Sequence, residues 1–198
     1  GARILIYFIS RIANINKLGI VPLLTFNTSH SLRIFCLTFK NQKKISEYFR
    51  GYGYLIHCNS CGYRSVYQDN VLELIGKCPI CDKADNLEYA GPLWIKEIHN
   101  VNFINEILAL NRKFQYNNKK RIDKLLNIAK EEIDMPVSYY NIHRLSKALK
   151  LSTIPTLDSL IEYIRKKKYK ISRTHFDFVS VKTNMDLNSI KKALLKLQ

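Results

Sequence analysis

Apolar residues recur at helical spacing from the start of the chain: Ile4, Phe8, Ile12 and Ile15 share one stripe, and Arg3 and Arg11 interrupt the run. The pattern predicts an amphipathic helix over residues 1 to about 18. The period then changes. Val21 to Phe26 and Leu32 to Phe39 read as two strands joined through Asn27-Thr28-Ser29-His30-Ser31, and a helix follows over Gln42 to Phe49 until Gly51 and Gly53 break it. A helix, a strand pair and another helix form an incomplete sheet layer, whose edges and faces stay exposed unless something covers them.

Farther along, helical spacing returns near Asn100 to Lys113, and again where Ile122, Leu125, Leu126, Ala129 and Ile133 mark a helix that stops before Pro136. Ser138 is placed to cap a second helix through Leu145 and Leu149, and Thr156 to cap a third that turns Leu157, Leu160, Ile161 and Ile164 inward. Two strand-like pieces, Tyr169 to His175 and Phe178 to Thr183, precede a terminal helix from about Leu187. Three helices and a β-hairpin are the plan of a winged helix, a fold that commonly lays its third helix and its wing on nucleic acid.

Between these regions lie Cys58-x2-Cys61 and Cys78-x2-Cys81, sixteen residues apart. Each pair can set two thiolates on one tight knuckle, and two knuckles complete the tetrahedron that Zn2+ prefers. Gly62, Gly76 and Pro79 suit the turns this requires. Four thiolates leave no open position for water, so the ion is expected to be structural rather than catalytic. Disulfides are the alternative, but an unmatched Cys36 and no secretory signal favour a reducing, cytoplasmic setting. Cys36 itself reads as a small buried hydrophobe. Trp94 reads as an anchor docking the cysteine module on its neighbour, with a base-stacking platform as the other reading.

Charge changes the picture most. The 198 residues hold 32 Lys+Arg against 16 Asp+Glu, a net +16 that attracts polyanions, of which nucleic acid is the commonest. The surplus is segregated: net +7 over residues 1–57, −3 over 58–109, +9 over 110–170 and +3 over 171–198. Lys119, Lys120 and Arg121 open the third part, Arg165, Lys166, Lys167 and Lys168 end its third helix, and Arg173, His175 and Lys182 add donors on the expected wing. Favourable interaction with the helix dipole is the competing reason for Arg165 to Lys168. No apolar run reaches the roughly 18–20 residues of a membrane span. A chain that begins at Gly1 with a ready-made helix reads as a fragment or a split protein.

In this order, the residues resemble the tRNA (guanine26-N2)-dimethyltransferases, above all the archaeal ones. The resemblance runs through Gly1-Ala2-Arg3-Ile4-Leu5, Thr25-Phe26-Asn27-Thr28-Ser29-His30 with Arg33, the two CxxC pairs, Ala90-Gly91-Pro92-Leu93-Trp94 and Ser172-Arg173-Thr174-His175-Phe176. It implies an S-adenosylmethionine-dependent enzyme that methylates the exocyclic amine of one guanine in tRNA. It implies further that residues 1–53 are the C-terminal part of a Rossmann-like, class I methyltransferase domain, and it includes Thr174 in the basic SRTHF block expected to touch RNA. The family's cofactor loop and Asp-Pro-Phe-Gly block belong upstream, and neither occurs in this sequence. Where the family often has an acidic residue before His30, this chain has Ser29.

The expected architecture is therefore α+β: an incomplete methyltransferase remnant (1–53), a four-cysteine zinc module (54–91), a connecting helical segment (92–118) and a winged-helix-like tRNA-binding domain (119–198). The expected function is the tRNA-binding C-terminal part of such an enzyme, inactive without its N-terminal catalytic half, which would be a partner beside tRNA. No catalytic or S-adenosylmethionine-binding residue is assigned within the chain. The alternative is a non-enzymatic zinc-ribbon and winged-helix factor that binds nucleic acid.

Overall fold

A computed structural model describes residues 1–28, 31–49, 51–68, 76–114 and 116–198. Ser29 and His30 lie outside the described residues. The chain divides into two compact units, residues 1–100 and 101–198.

The first unit opens with α1 (Ala2–Ile15), which ends where Lys17 takes a left-handed φ of 58°. The antiparallel hairpin of β1 (Gly19–Thr28) and β2 (Ser31–Phe39) follows, with a bulge between Pro22 and Leu24. Proline has no N–H to give to a ladder, so a bulge is where a strand tolerates it. After α2 (Gln42–Phe49) come β3 (Tyr52–Cys58), β4 (Arg64–Tyr67) and β5 (Leu87–Trp94), an antiparallel sheet with β3 in the middle. Gly91 in β5 has φ +149°, and a Cβ there would sit 2.8 Å from the Gly53 carbonyl, so the strand needs glycine at this crossing.

Trp94 acts as the expected anchor. It is buried, its indole N–H donates to the Glu97 carbonyl at 2.9 Å, and its ring lies 5.9 Å from those of Tyr48 and Tyr52. The Arg3 guanidinium donates to the carbonyls of Trp94 (2.9 Å) and Lys96 (2.7 Å), fixing α1 to the end of β5. The face α1 turns inward holds Ile6 and Ser10, whose hydroxyl meets the Tyr52 hydroxyl at 2.7 Å. Its opposite face leaves Ile4, Phe8, Ile12 and Ile15 between 45% and 80% exposed. Phe35 and Leu37 of β2 are exposed as well, and Cys36 between them is half-buried, with burial raising its thiol pKa.

The second unit starts with two packed helices, α3 (Val101–Lys113) and α4 (Lys119–Glu131), so the helix expected in a connecting segment packs on its successor. A two-residue strand, β6 (Tyr140–Asn141), leads into α5 (Ile142–Ala148). Ser138 is not its cap: pairing of β6 with β8 keeps the backbone extended through Asn141, whose side chain caps the helix by accepting from the Arg144 N–H at 2.8 Å. Thr156 caps α6 (Leu157–Lys166) as its sequence implies, accepting from the Ser159 N–H at 3.2 Å. The strands β7 (Ile171–Arg173) and β8 (Ser180–Thr183) are shorter than expected, and α7 (Leu187–Lys196) closes the chain. Sheet order is β6-β8-β7, all antiparallel. Ile142, Leu160, Ile164, Val181, Ile190 and Leu194 form the core.

Candidate metal centre and nucleic-acid surface

The two cysteine pairs fold into matching knuckles. In each, the N–H of the first cysteine donates to a carbonyl five residues on (Cys58 to Tyr63, 2.9 Å; Cys78 to Lys83, 3.0 Å). In each, the N–H four residues on returns to that cysteine's carbonyl (Gly62 to Cys58, 2.9 Å; Asp82 to Cys78, 2.8 Å). The residue after the second cysteine is left-handed in both, Gly62 at φ 84° and Asp82 at φ 56°. Glycine meets that demand without strain, and aspartate is among the few other residues that do so readily.

The four sulfur atoms lie within 4.8 Å of one another, with Cys58–Cys81 and Cys61–Cys78 each at 3.6 Å. A tetrahedron of sulfurs about 2.3 Å from Zn2+ has edges of roughly 3.8 Å, so the donor set fits the ion in kind and spacing. Burial works to raise the Cys78 thiol, but hydrogen bonds from the Cys81 and Ile80 N–H groups, and from neighbouring thiols, hold it to about 7. Cys61 is pushed up by burial to about 12. A dication among four thiols would stabilise every thiolate at once, which packing alone does for only one of these two.

The candidate RNA contacts separate into two kinds. Lys120 and Arg121 are exposed on the first turn of α4, and Lys119 is half-buried, its ammonium donating to the Arg112 carbonyl at 3.1 Å. Arg165, Lys166, Lys167 and Lys168 are exposed at the end of α6, with Lys166 paired to Glu162 at 2.7 Å. Arg173 is half-buried and bonded to Asp158 at 2.6 Å. Since Asp158 begins α6 and Arg165 to Lys168 end it, the helix axis separates Arg173 from the basic cluster by most of about 15 Å.

Thr174, His175 and Lys182 are corrected by the structure, because all three are buried. Glu132, one residue past α4, draws the two donors inward. One carboxylate oxygen accepts from the His175 N–H at 2.8 Å and meets His175 Nδ1 at 2.5 Å, and the other pairs with Lys182 Nζ at 2.9 Å. The Thr174 hydroxyl accepts from the Phe176 N–H at 3.3 Å. These residues hold α4 against the β7–β8 hairpin. Sequence reasoning missed Glu132, whose only local signal is an acidic pair beside the apolar Ile133.

Fold and site define a basic α+β chain in which four cysteine sulfurs gather within reach of one another. A family model described as N2,N2-dimethylguanosine tRNA methyltransferase matches residues 1–195, and the chain belongs to that family. It is 31% identical over 198 residues to the tRNA (guanine(26)-N(2))-dimethyltransferase of Methanosphaera stadtmanae and 33% to that of Methanobrevibacter smithii. Each alignment covers 100% of this chain and 50% of the relative, so the chain spans about half the length of the curated relatives it matches. A solved structure described as Trm1 from Pyrococcus horikoshii with S-adenosyl-L-methionine shares the fold, at TM-score 0.80 and 24% identity, over 98% of this chain and 48% of that one. Among the described residues, no helix is long and apolar enough to cross a membrane.

Proposed function

We propose that this chain is the tRNA-binding, C-terminal portion of an S-adenosylmethionine-dependent tRNA (guanine26-N2)-dimethyltransferase, active only together with an N-terminal catalytic half. The observation that carries the reading is the family match through residues 1–195 in a chain half as long as its relatives. The stripe Ile4, Phe8, Ile12 and Ile15, exposed beside a two-stranded sheet, supports it. Such a stripe is the kind of surface a methyltransferase half would cover.

S-adenosylmethionine supplies an electrophilic methyl group where it is bound. A Rossmann-like site lies at the carboxyl ends of parallel strands, whereas β1 and β2 among the described residues are antiparallel, which supports placing the cofactor elsewhere. Its binding is assigned to the other half, and this chain's share is to hold tRNA and help offset the cost of drawing a guanine from its stack. The second unit suits that share, with 20 Lys+Arg against 9 Asp+Glu over residues 101–198. Its order of helix, short strand, two helices and hairpin supports the winged-helix reading. Zinc in the four-cysteine site serves the fold of β3, β4 and β5. A stand-alone zinc-ribbon factor leaves unexplained why the family match runs through α1 and the hairpin.

The test is binding and transfer measured side by side. The chain alone is expected to bind tRNA and to transfer no labelled methyl group, with transfer restored by adding the N-terminal half of a relative. Transfer by the chain alone would overturn the division of labour.

A further inference from the structure

The corner between α3 and α4 combines cations and aromatics: Arg112 and Lys113 end α3, where the helix dipole favours them, but the cations that open α4 are not called for by their helix. Lys119, Lys120 and Arg121 occupy the first turn of α4, which has no acidic residue. A helix N-terminus carries the positive end of the dipole, so cations there cost stability, whereas those ending α6 gain it. Among the described residues, Arg112, Lys113, Lys120 and Arg121 are exposed and outside every ion pair. Between them stand Phe114 and Tyr116, 46% and 54% exposed, with ring centroids 5.8 Å apart. Buried Asn111 steadies the corner by donating to the Lys119 carbonyl (3.1 Å) and the Asp123 carboxylate (2.8 Å).

Single exposed aromatics are ordinary, but two adjoining rings flanked by unpaired cations match the chemistry of unpaired nucleotides: π faces for bases and charges for phosphates. We infer that the α3–α4 corner is a binding site for an unpaired RNA segment, with Phe114 and Tyr116 stacking on bases while Lys120 and Arg121 hold the backbone. This deepens the tRNA-binding reading and rests on it. Base-paired RNA offers those rings no face, so the corner discriminates between the two forms.

The test uses the whole chain, a short labelled oligouridine and an RNA duplex of equal length. Phe114→Leu with Tyr116→Leu keeps the corner apolar but removes the π faces. It should weaken oligouridine binding on the order of tenfold or more, leave the salt slope as it was, and spare the duplex. Lys120→Gln with Arg121→Gln should weaken both probes and flatten the oligouridine slope by about 0.7 per lost contact. Phe114→Trp should keep affinity, with its emission quenched by oligouridine, which tests the contact even if the leucine variant unfolds. If the parent binds oligouridine and the leucine variant binds it equally well, or the tryptophan is not quenched, the stacking site is wrong and the tRNA-binding reading stands. Equal losses on the duplex would also overturn it, as would weakened association with the N-terminal half at unchanged RNA affinity, which would make the corner a protein contact. A parent that binds no RNA overturns both.

Discussion

Glu132 carries a buried charge that faces the Lys182 ammonium and the His175 ring, and its energetics follow from that position. Burial works against its ionisation, yet the hydrogen bond from His175 and the charge of Lys182 more than compensate and hold its pKa to about 2, below its ordinary 4.5. Because the folded value is depressed, the stabilisation is fully present above about 4.5 and is lost as pH falls toward 2, a contribution of about 3 kcal/mol. Lys182→Met should destabilise the second unit by about 3–5 kcal/mol, since the carboxylate stays buried without its ammonium partner. Adding Glu132→Gln should recover part of that loss. Urea denaturation of the three proteins across that acid range checks both points, and tRNA affinity of folded Lys182→Met should equal the parent's. In sequence, Lys182 and His175 look like wing donors because they sit on a hairpin in a basic chain. Their counter-charge lies 50 and 43 residues earlier, beyond the reach of any local pattern.

At the level of elements, spacing was most informative where the chemistry demanded it. Cys58, Cys61, Cys78 and Cys81 announced their own knuckles, since tetrahedral ligation constrains both intervals. Cys→Ser at any of the four should lose one equivalent of zinc and loosen β3, β4 and β5, read by elemental analysis and by amide exchange in residues 52–67 and 87–94. The two helix caps show the limit. Thr156 was legible because nothing competes with α6 for its first turn, whereas Ser138 misled because β6 pairs with β8 and delays α5 to Asn141. The basic end of α6 remains a proposed phosphate contact. Lys166, Lys167 and Lys168 changed together to Gln should flatten the salt slope of tRNA binding by up to about 0.9 per lost duplex-phosphate contact. Arg173→Ala should do less, because its guanidinium is committed to Asp158.

At the scale of the whole molecule, a chain that spans about half the length of its methyltransferase relatives carries a second unit rich in positive charge. The segregation of charge was visible in the sequence, and so was the apolar stripe of α1. Which face of α1 is left uncovered was not, because Arg3 and Ser10 fix the helix through Trp94 and Tyr52, about 90 and 40 residues away. The proposed function requires that this chain by itself grip tRNA through its phosphates. The most direct measurement is the equilibrium affinity of the zinc-loaded chain for unmodified tRNA across a series of salt concentrations. Tight binding is expected at low salt, weakening linearly in log–log form with a slope of several contacts. Absent binding, or an affinity indifferent to salt, would contradict it.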